Sequence, residues 1–126
     1  MLPETDPHHF DRTRSDAFKE ADVILIVGTP FDFRMGYGRR ISKAATLVQI
    51  DQSYATVGKN RDISVGLAGD PGAILKAVEQ AASGRIDKGA RKQRQAWMAR
   101  LREIEKAKLE KLLPMFQSEQ NPIHPY

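Results

Sequence analysis

Five consecutive apolar residues, Val23, Ile24, Leu25, Ile26 and Val27, stand between Asp22 and Gly28. Branched apolar side chains at successive positions suit extended backbone. With both parities apolar, both faces of the strand need cover, which predicts a central parallel strand flanked by helices. Residues 46–50, Thr-Leu-Val-Gln-Ile, predict a second strand that stops at Asp51. Residues 63–68 predict a third, stopping at Gly69-Asp70. The second and third both end on an acidic residue before a loop or helix.

Between and after these runs the period changes. Ser15 can cap a short helix over residues 16–20, with Asp16 at the positive end of its dipole. Pro71 suits a first helical turn, where its missing N–H costs nothing. Behind it Ala73, Ile74, Ala77, Val78 and Ala81 form one apolar face that ends at Gly84. Residues 91–113 predict a longer helix: Trp97, Leu101 and Ile104 share a stripe, Leu109, Leu112 and Leu113 extend it, and Pro114 ends it. Residues 1–10 read as an extended lead-in, and residues 117–126, with Pro122 and Pro125, as a linker. Strands alternating with helices imply an α/β layered fold with a parallel sheet, followed by a long C-terminal helix. The expected division is residues 1–84 and residues 85–126.

Composition narrows the chemistry. The chain of 126 residues has no cysteine, which removes disulfides, thiolate metal sites and cysteine nucleophiles together. Its longest apolar run is far shorter than a membrane span and no signal pattern precedes it, so a cytosolic location is expected. The net charge of +4 is uneven: residues 1–84 carry ten Lys/Arg against eleven Asp/Glu, whereas residues 85–111 carry ten against four. Acids scattered among those bases read as a solvated helix face rather than a nucleic-acid or membrane surface, leaving a basic interaction module as the last-ranked function.

In open parallel sheets ligands lie beyond the carboxyl ends of the strands, so the loops after Gly28, Ile50 and Ala68 are the candidate site. Residues 28–38, Gly-Thr-Pro-Phe-Asp-Phe-Arg-Met-Gly-Tyr-Gly, combine glycines that permit tight turns with Arg34, which can pair with a phosphate or with Asp32 as a structural turn. The glycines lack the dinucleotide-binding spacing. Asp51 is placed to accept hydrogen bonds from ribose hydroxyls or to cap a helix formed by the residues after it. Gly69-Asp70 can meet an adenine or ribose edge, and Asp70 can equally cap the helix at Pro71. No catalytic arrangement is visible: His8-His9 and His124 have no metal spacing, and no serine has a nucleophile-elbow context.

Taken together, residues 21–34, Val48-Gln49-Ile50-Asp51, Val57-Gly58-Lys59-Asn60-Arg61 and Gly69-Asp70 resemble the central domain of thiamine-diphosphate-dependent enzymes in motif, order and spacing. The lead-in through His8 looks like the loop entering the second half of that domain. Asn121-Pro122-Ile123-His124-Pro125 looks like the opening of the cofactor domain that comes after it. The nearest likeness is to acetolactate synthase, acetolactate-synthase-like proteins and the 2-hydroxyacyl-CoA and oxalyl-CoA lyases.

The resemblance implies a six-stranded parallel, Rossmann-like (DHS-like) three-layer domain, of which this chain holds a part, that carries FAD in some members, ADP in others and no nucleotide in the rest. By position, Gly28, Phe31 and Arg34 would line the nucleotide, Asp51 would meet the ribose, and Gly69, Asp70 and Pro71 the adenine. Flavin-using members commonly read Phe-Asp-Asp-Arg where this chain has Phe31-Asp32-Phe33-Arg34, which favours ADP or an empty site over flavin. The family's thiamine diphosphate and magnesium depend on a glutamate and a Gly-Asp-Gly motif in other domains, and neither is present in this chain. The resemblance thus implies a scaffolding piece of a transferase or lyase, silent in catalysis alone. Its uncovered strand edges would be met by the remaining domains or by homo-oligomerisation, and a stand-alone ADP- or FAD-binding or oligomerisation module is the alternative.

Overall fold

The valine, isoleucine and leucine run forms strand β1 (Val23–Val27), which pairs in parallel with β2 (Thr46–Asp51); β2 pairs in parallel with β3 (Val65–Ala68). This computed structural model describes residue 3 and residues 5–85 and 87–117. Helix α1 (Arg14–Glu20) precedes the sheet; α2 (Pro71–Ala82) and α3 (Lys88–Phe116) come after it. The sheet order is β1-β2-β3, so each strand lies beside the one before it in the chain. In register, Val23 faces Thr46, Val27 faces Ile50 and Asp51 faces Ala68.

The chain divides into two compact units, one of Ala17–Asp87 and one combining Met1–Asp16 with Lys88–Tyr126. In the first, Ile24 and Ile26 of β1 meet Leu47, Phe31 and Ile41 in a buried cluster, with Phe18, Ala21, Met35, Ala45 and Ile63 packed around it. That is one face of the sheet.

The expectation of a strand covered on both sides does not hold for β1. It is an edge strand, and Val23, Leu25 and Val27 remain 52%, 43% and 37% exposed. On the same face Ile50 is fully buried, because α2 packs across β2 rather than β1. The apolar face predicted for α2 is also largely open, with only Ile74 half-buried and Val78 exposed.

Three predicted boundaries move for local reasons. Strand β3 begins at Val65, not Ile63, because the Ser64 hydroxyl oxygen takes the Leu47 N–H at 3.1 Å that a ladder bond would otherwise use. Helix α1 starts at Arg14, so Ser15 lies inside its first turn and Thr13, whose carbonyl accepts from Asp16 N–H, stands at its head. Pro114 sits inside α3, which continues to Phe116: so close to the end, a missing N–H removes one bond without stopping the last turn.

In the second unit Leu101 is buried and Trp97 and Ile104 half-buried, as the stripe predicts, whereas Leu109 and Leu113 stay exposed. The lead-in is held by α3. Glu105 accepts from Asp11 N–H at 3.1 Å, Arg12 N–H at 3.0 Å and the Thr13 hydroxyl at 2.9 Å. Lys108 donates to the Arg12 carbonyl at 2.9 Å and pairs with Asp16. The Arg102 guanidinium lies over the Phe10 ring, 4.4 Å from its centre. Of the linker expected at residues 117–126, residues 118–126, with Pro122, His124 and Pro125, lie outside the described residues. No helix among the described residues is long and apolar enough to cross a membrane.

Candidate functional site

Hydrogen bonds at the strand tips bring three predicted segments side by side. Gly28 N–H donates to the Ile50 carbonyl at 2.9 Å, and Gly69 N–H donates to the Asp51 carbonyl at 3.0 Å. Gly28, Asp51 and Gly69 therefore stand in a row across the carboxyl edge, about 10 Å end to end at the usual strand spacing. Gly28 has φ 61°, a left-handed turn that glycine adopts without strain, and a Cβ there would meet nothing within 4 Å. Backbone is thus open to approach at that point.

Asp51 closes a local turn, its Oδ1 accepting from Ser53 N–H at 2.8 Å, while Oδ2 accepts nothing from the described residues. One carboxylate oxygen remains for a hydroxyl. Asp70 caps α2: its Oδ1 accepts from Ala73 N–H at 2.7 Å, and Pro71 opens the helix. Its capping role is therefore realised, and Gly69 beside it turns the chain between strand and helix.

The segment after β1 is divided between surface and core. Asp32 caps a short 3₁₀ segment (Phe33–Gly38) by accepting from Arg34 N–H, and the Arg34 guanidinium folds back onto the same carboxylate at 2.6 Å. The hydrogen bond from Arg34 holds the Asp32 carboxyl below its ordinary range and raises Arg34 in turn. The structural Asp-Arg turn is thus formed, and Arg34 would have to share or leave Asp32 to meet a phosphate. Phe31 is fully buried in the sheet core, so its side chain packs and does not line an edge site.

The residues that tie this edge together carry the family resemblance in the sequence, but no structural role was read from them. Gln49, fully buried, accepts from Gly58 N–H at 2.8 Å and donates to the Thr29 carbonyl at 3.4 Å, joining the loops after β1 and β2. Asn60 donates to the Phe31 carbonyl at 3.2 Å, and Arg61 donates to the Gly38 carbonyl at 2.8 Å. A glutamine as the single polar residue between Val48 and Ile50 was the available signal. Buried polar groups in strands are hydrogen-bonded, so its partners had to come from neighbouring loops.

For thiamine diphosphate and magnesium the residues present do not fit. Gly-Asp-Gly is absent from the sequence, and the described residues gather no group of three His, Cys, Asp or Glu. His8 and His9 instead pair with Asp6 and Asp11.

A three-stranded parallel sheet with helices before and after it in the chain defines a Rossmann-like α/β domain. Residues 1–78 match the family model of the thiamine pyrophosphate enzyme central domain, and the chain belongs to that family. Over 123 residues, 92% of the chain, it is 36% identical to a probable acetolactate synthase of Mycobacterium bovis. It is 32% identical over 67% of its length to 2-hydroxyacyl-CoA lyase 2 of Danio rerio, and 36% identical over 63% to that of Homo sapiens. The matched stretches make up 20%, 14% and 13% of those relatives' own lengths.

Proposed function

We propose that this chain is the scaffolding second half of the central domain of a thiamine-diphosphate-dependent transferase or lyase, of the acetolactate synthase or 2-hydroxyacyl-CoA lyase kind. In that reading the parent cleaves or joins carbon bonds next to a carbonyl with thiamine diphosphate and magnesium bound in other domains. This piece supplies sheet, helix and a nucleotide edge, and turns over no substrate by itself. The open face of β1 is where the rest of the domain, or a second copy, would pack. Supporting it are Val23, Leu25 and Val27, apolar and exposed on a strand with a free edge.

The observation that carries the nucleotide reading is the row of Gly28, Asp51 and Gly69. An adenosine diphosphate laid across it would place ribose hydroxyls at Asp51 Oδ2 and adenine near Gly69, Asp70 and Pro71, with its phosphates toward Gly28 and Arg34. Phe33, 75% exposed, stands where flavin-using members commonly carry a second acid, which favours ADP over FAD.

Thermal melts with millimolar ADP or FAD test this. ADP at about a hundred times its dissociation constant adds about 2.7 kcal/mol of stability, and Asp51→Asn loses that gain. An absent shift removes the nucleotide and leaves the scaffold. Pyruvate turnover above background by the chain alone, with thiamine diphosphate and magnesium supplied, overturns the scaffold.

A further inference from the structure

A second concavity of about 900 Å³ lies beside the start of β2 and the residues just before β3, lined in part by Leu47, Ile63 and Ser64. Leu47 is four residues from Asp51 along β2, which puts about 13 Å between this hollow and the carboxyl edge. It is a different place with different chemistry.

Three cationic side chains, Arg39, Lys43 and Arg61, border it against one acid, Asp62. Arg39 and Lys43 make no ion pair or side-chain hydrogen bond with the described residues; Arg39 only lies over the Tyr37 ring, 5.5 Å from its centre. Arg61 donates Nη1 to the Gly38 carbonyl at 2.8 Å and Nη2 to the Ile41 carbonyl at 3.5 Å, which fixes its charge in the wall, and its buried Nε has no acceptor. A buried N–H without a partner is costly and rare. Ser64 Oγ accepts from Leu47 N–H, which leaves its own proton free to donate.

The backbone around the hollow is strained to hold this arrangement. Tyr37 and Asn60, neither of them glycine, have φ 53° and 69°. Tyr37 is 42% exposed, so burial does not offset the strain, and it forms the wall under Arg39. Strain at an exposed residue in a cationic hollow is the kind that accompanies ligand binding.

We propose that this hollow is an anion site for an organic diphosphate. Two cations without an ion pair, the fixed charge of Arg61 and a free hydroxyl match a multiply charged phosphate group. The volume exceeds what phosphate alone fills and falls in the range of small-molecule sites, with Leu47 and Ile63 as an apolar floor for the organic part. The proposal does not rest on the nucleotide reading of the carboxyl edge.

The test is calorimetric titration of the whole chain with inorganic pyrophosphate in low-salt buffer, repeated with Arg39→Gln/Lys43→Gln and, separately, with Asp51→Asn. Both cations are exposed, so the double variant should keep the wild-type circular dichroism and melting temperature. Saturable binding that weakens about tenfold or more in the double variant and is unchanged by Asp51→Asn supports the site. Equal binding by wild type and double variant, or no saturable binding at millimolar pyrophosphate, overturns it. Loss of binding only in Asp51→Asn assigns the phosphate to the carboxyl edge and also overturns it.

Discussion

Gly66 in β3 is held against the loop that precedes the strand, and adding one methyl group there gives a quantitative test of that packing. A Cβ on Gly66 would lie 2.5 Å from Val57 Cγ1 and 3.1 Å from Ile63 Cδ1. Ordinary carbon contacts lie near 3.5–4.0 Å, so Val57 would have to withdraw by about 1 Å. Its branched Cβ leaves few alternative rotamers. Overpacking of this degree costs about 1–3 kcal/mol, against about 0.5–1 kcal/mol gained from lower backbone entropy when alanine replaces glycine. Gly66→Ala should therefore destabilise by about 1–2 kcal/mol, which lowers the melting temperature by about 4–8 °C for a chain of this size. The steric origin is separable from any general intolerance of β3. With Val57→Ala in place, the same Gly66→Ala change should cost close to nothing, giving a coupling of about 1 kcal/mol or more in a double-mutant cycle monitored by circular dichroism. A Gly66→Ala protein that melts at or above wild type, or one whose loss is undiminished by Val57→Ala, refutes the reasoning.

Two further outcomes concern side chains that hold chain ends. Burial pushes the Glu105 carboxyl up, but the hydrogen bonds from Arg12, Thr13 and Asp11 outweigh it and leave the group below its ordinary range. Its contribution is thus present above the unfolded carboxylate range and lost as pH falls through the folded value. Glu105→Gln should cost about 1–2 kcal/mol at neutral pH, and in melts across a pH series that deficit should close below about pH 4. Asp70→Ala removes the cap on α2 and should cost about 1 kcal/mol, read as a melting temperature about 4 °C lower.

The strands and their parallel pairing were legible because their signals are local: apolar runs ending in Gly28, Asp51 and Gly69-Asp70. Family membership was legible for the same reason, since the motifs around Phe31, Asp51 and Asn60 are contiguous in sequence. What escaped depends on the chain folding back. Phe31 reads as a loop residue beside Asp32 and Arg34, yet the turn sends its ring into the core, where Asn60 fixes its carbonyl. Gln49 reads as one polar position in a strand, and only the return of the residues 53–60 loop gives it Gly58 as a partner. The β1 run carries apolar side chains for two faces, and the sequence alone does not show that one of those faces stays open in this chain. Thr13 and Glu105 had no visible relation, because nothing in either neighbourhood encodes a contact across more than ninety positions.

That last contact bears on the order in which the molecule can form. Each strand pairs with the one synthesised just before it, across connections of residues 28–45 and 52–64, so the sheet can assemble before α3 is made. The bonds from Glu105 and Lys108 span 92 to 96 positions and must wait until α3 has been made. Loop closure over that length carries a larger entropy cost than any strand pairing. The residues ahead of α1 thus leave the ribosome before the sheet and find their native partners after it, a latch that closes once the sheet can already have formed.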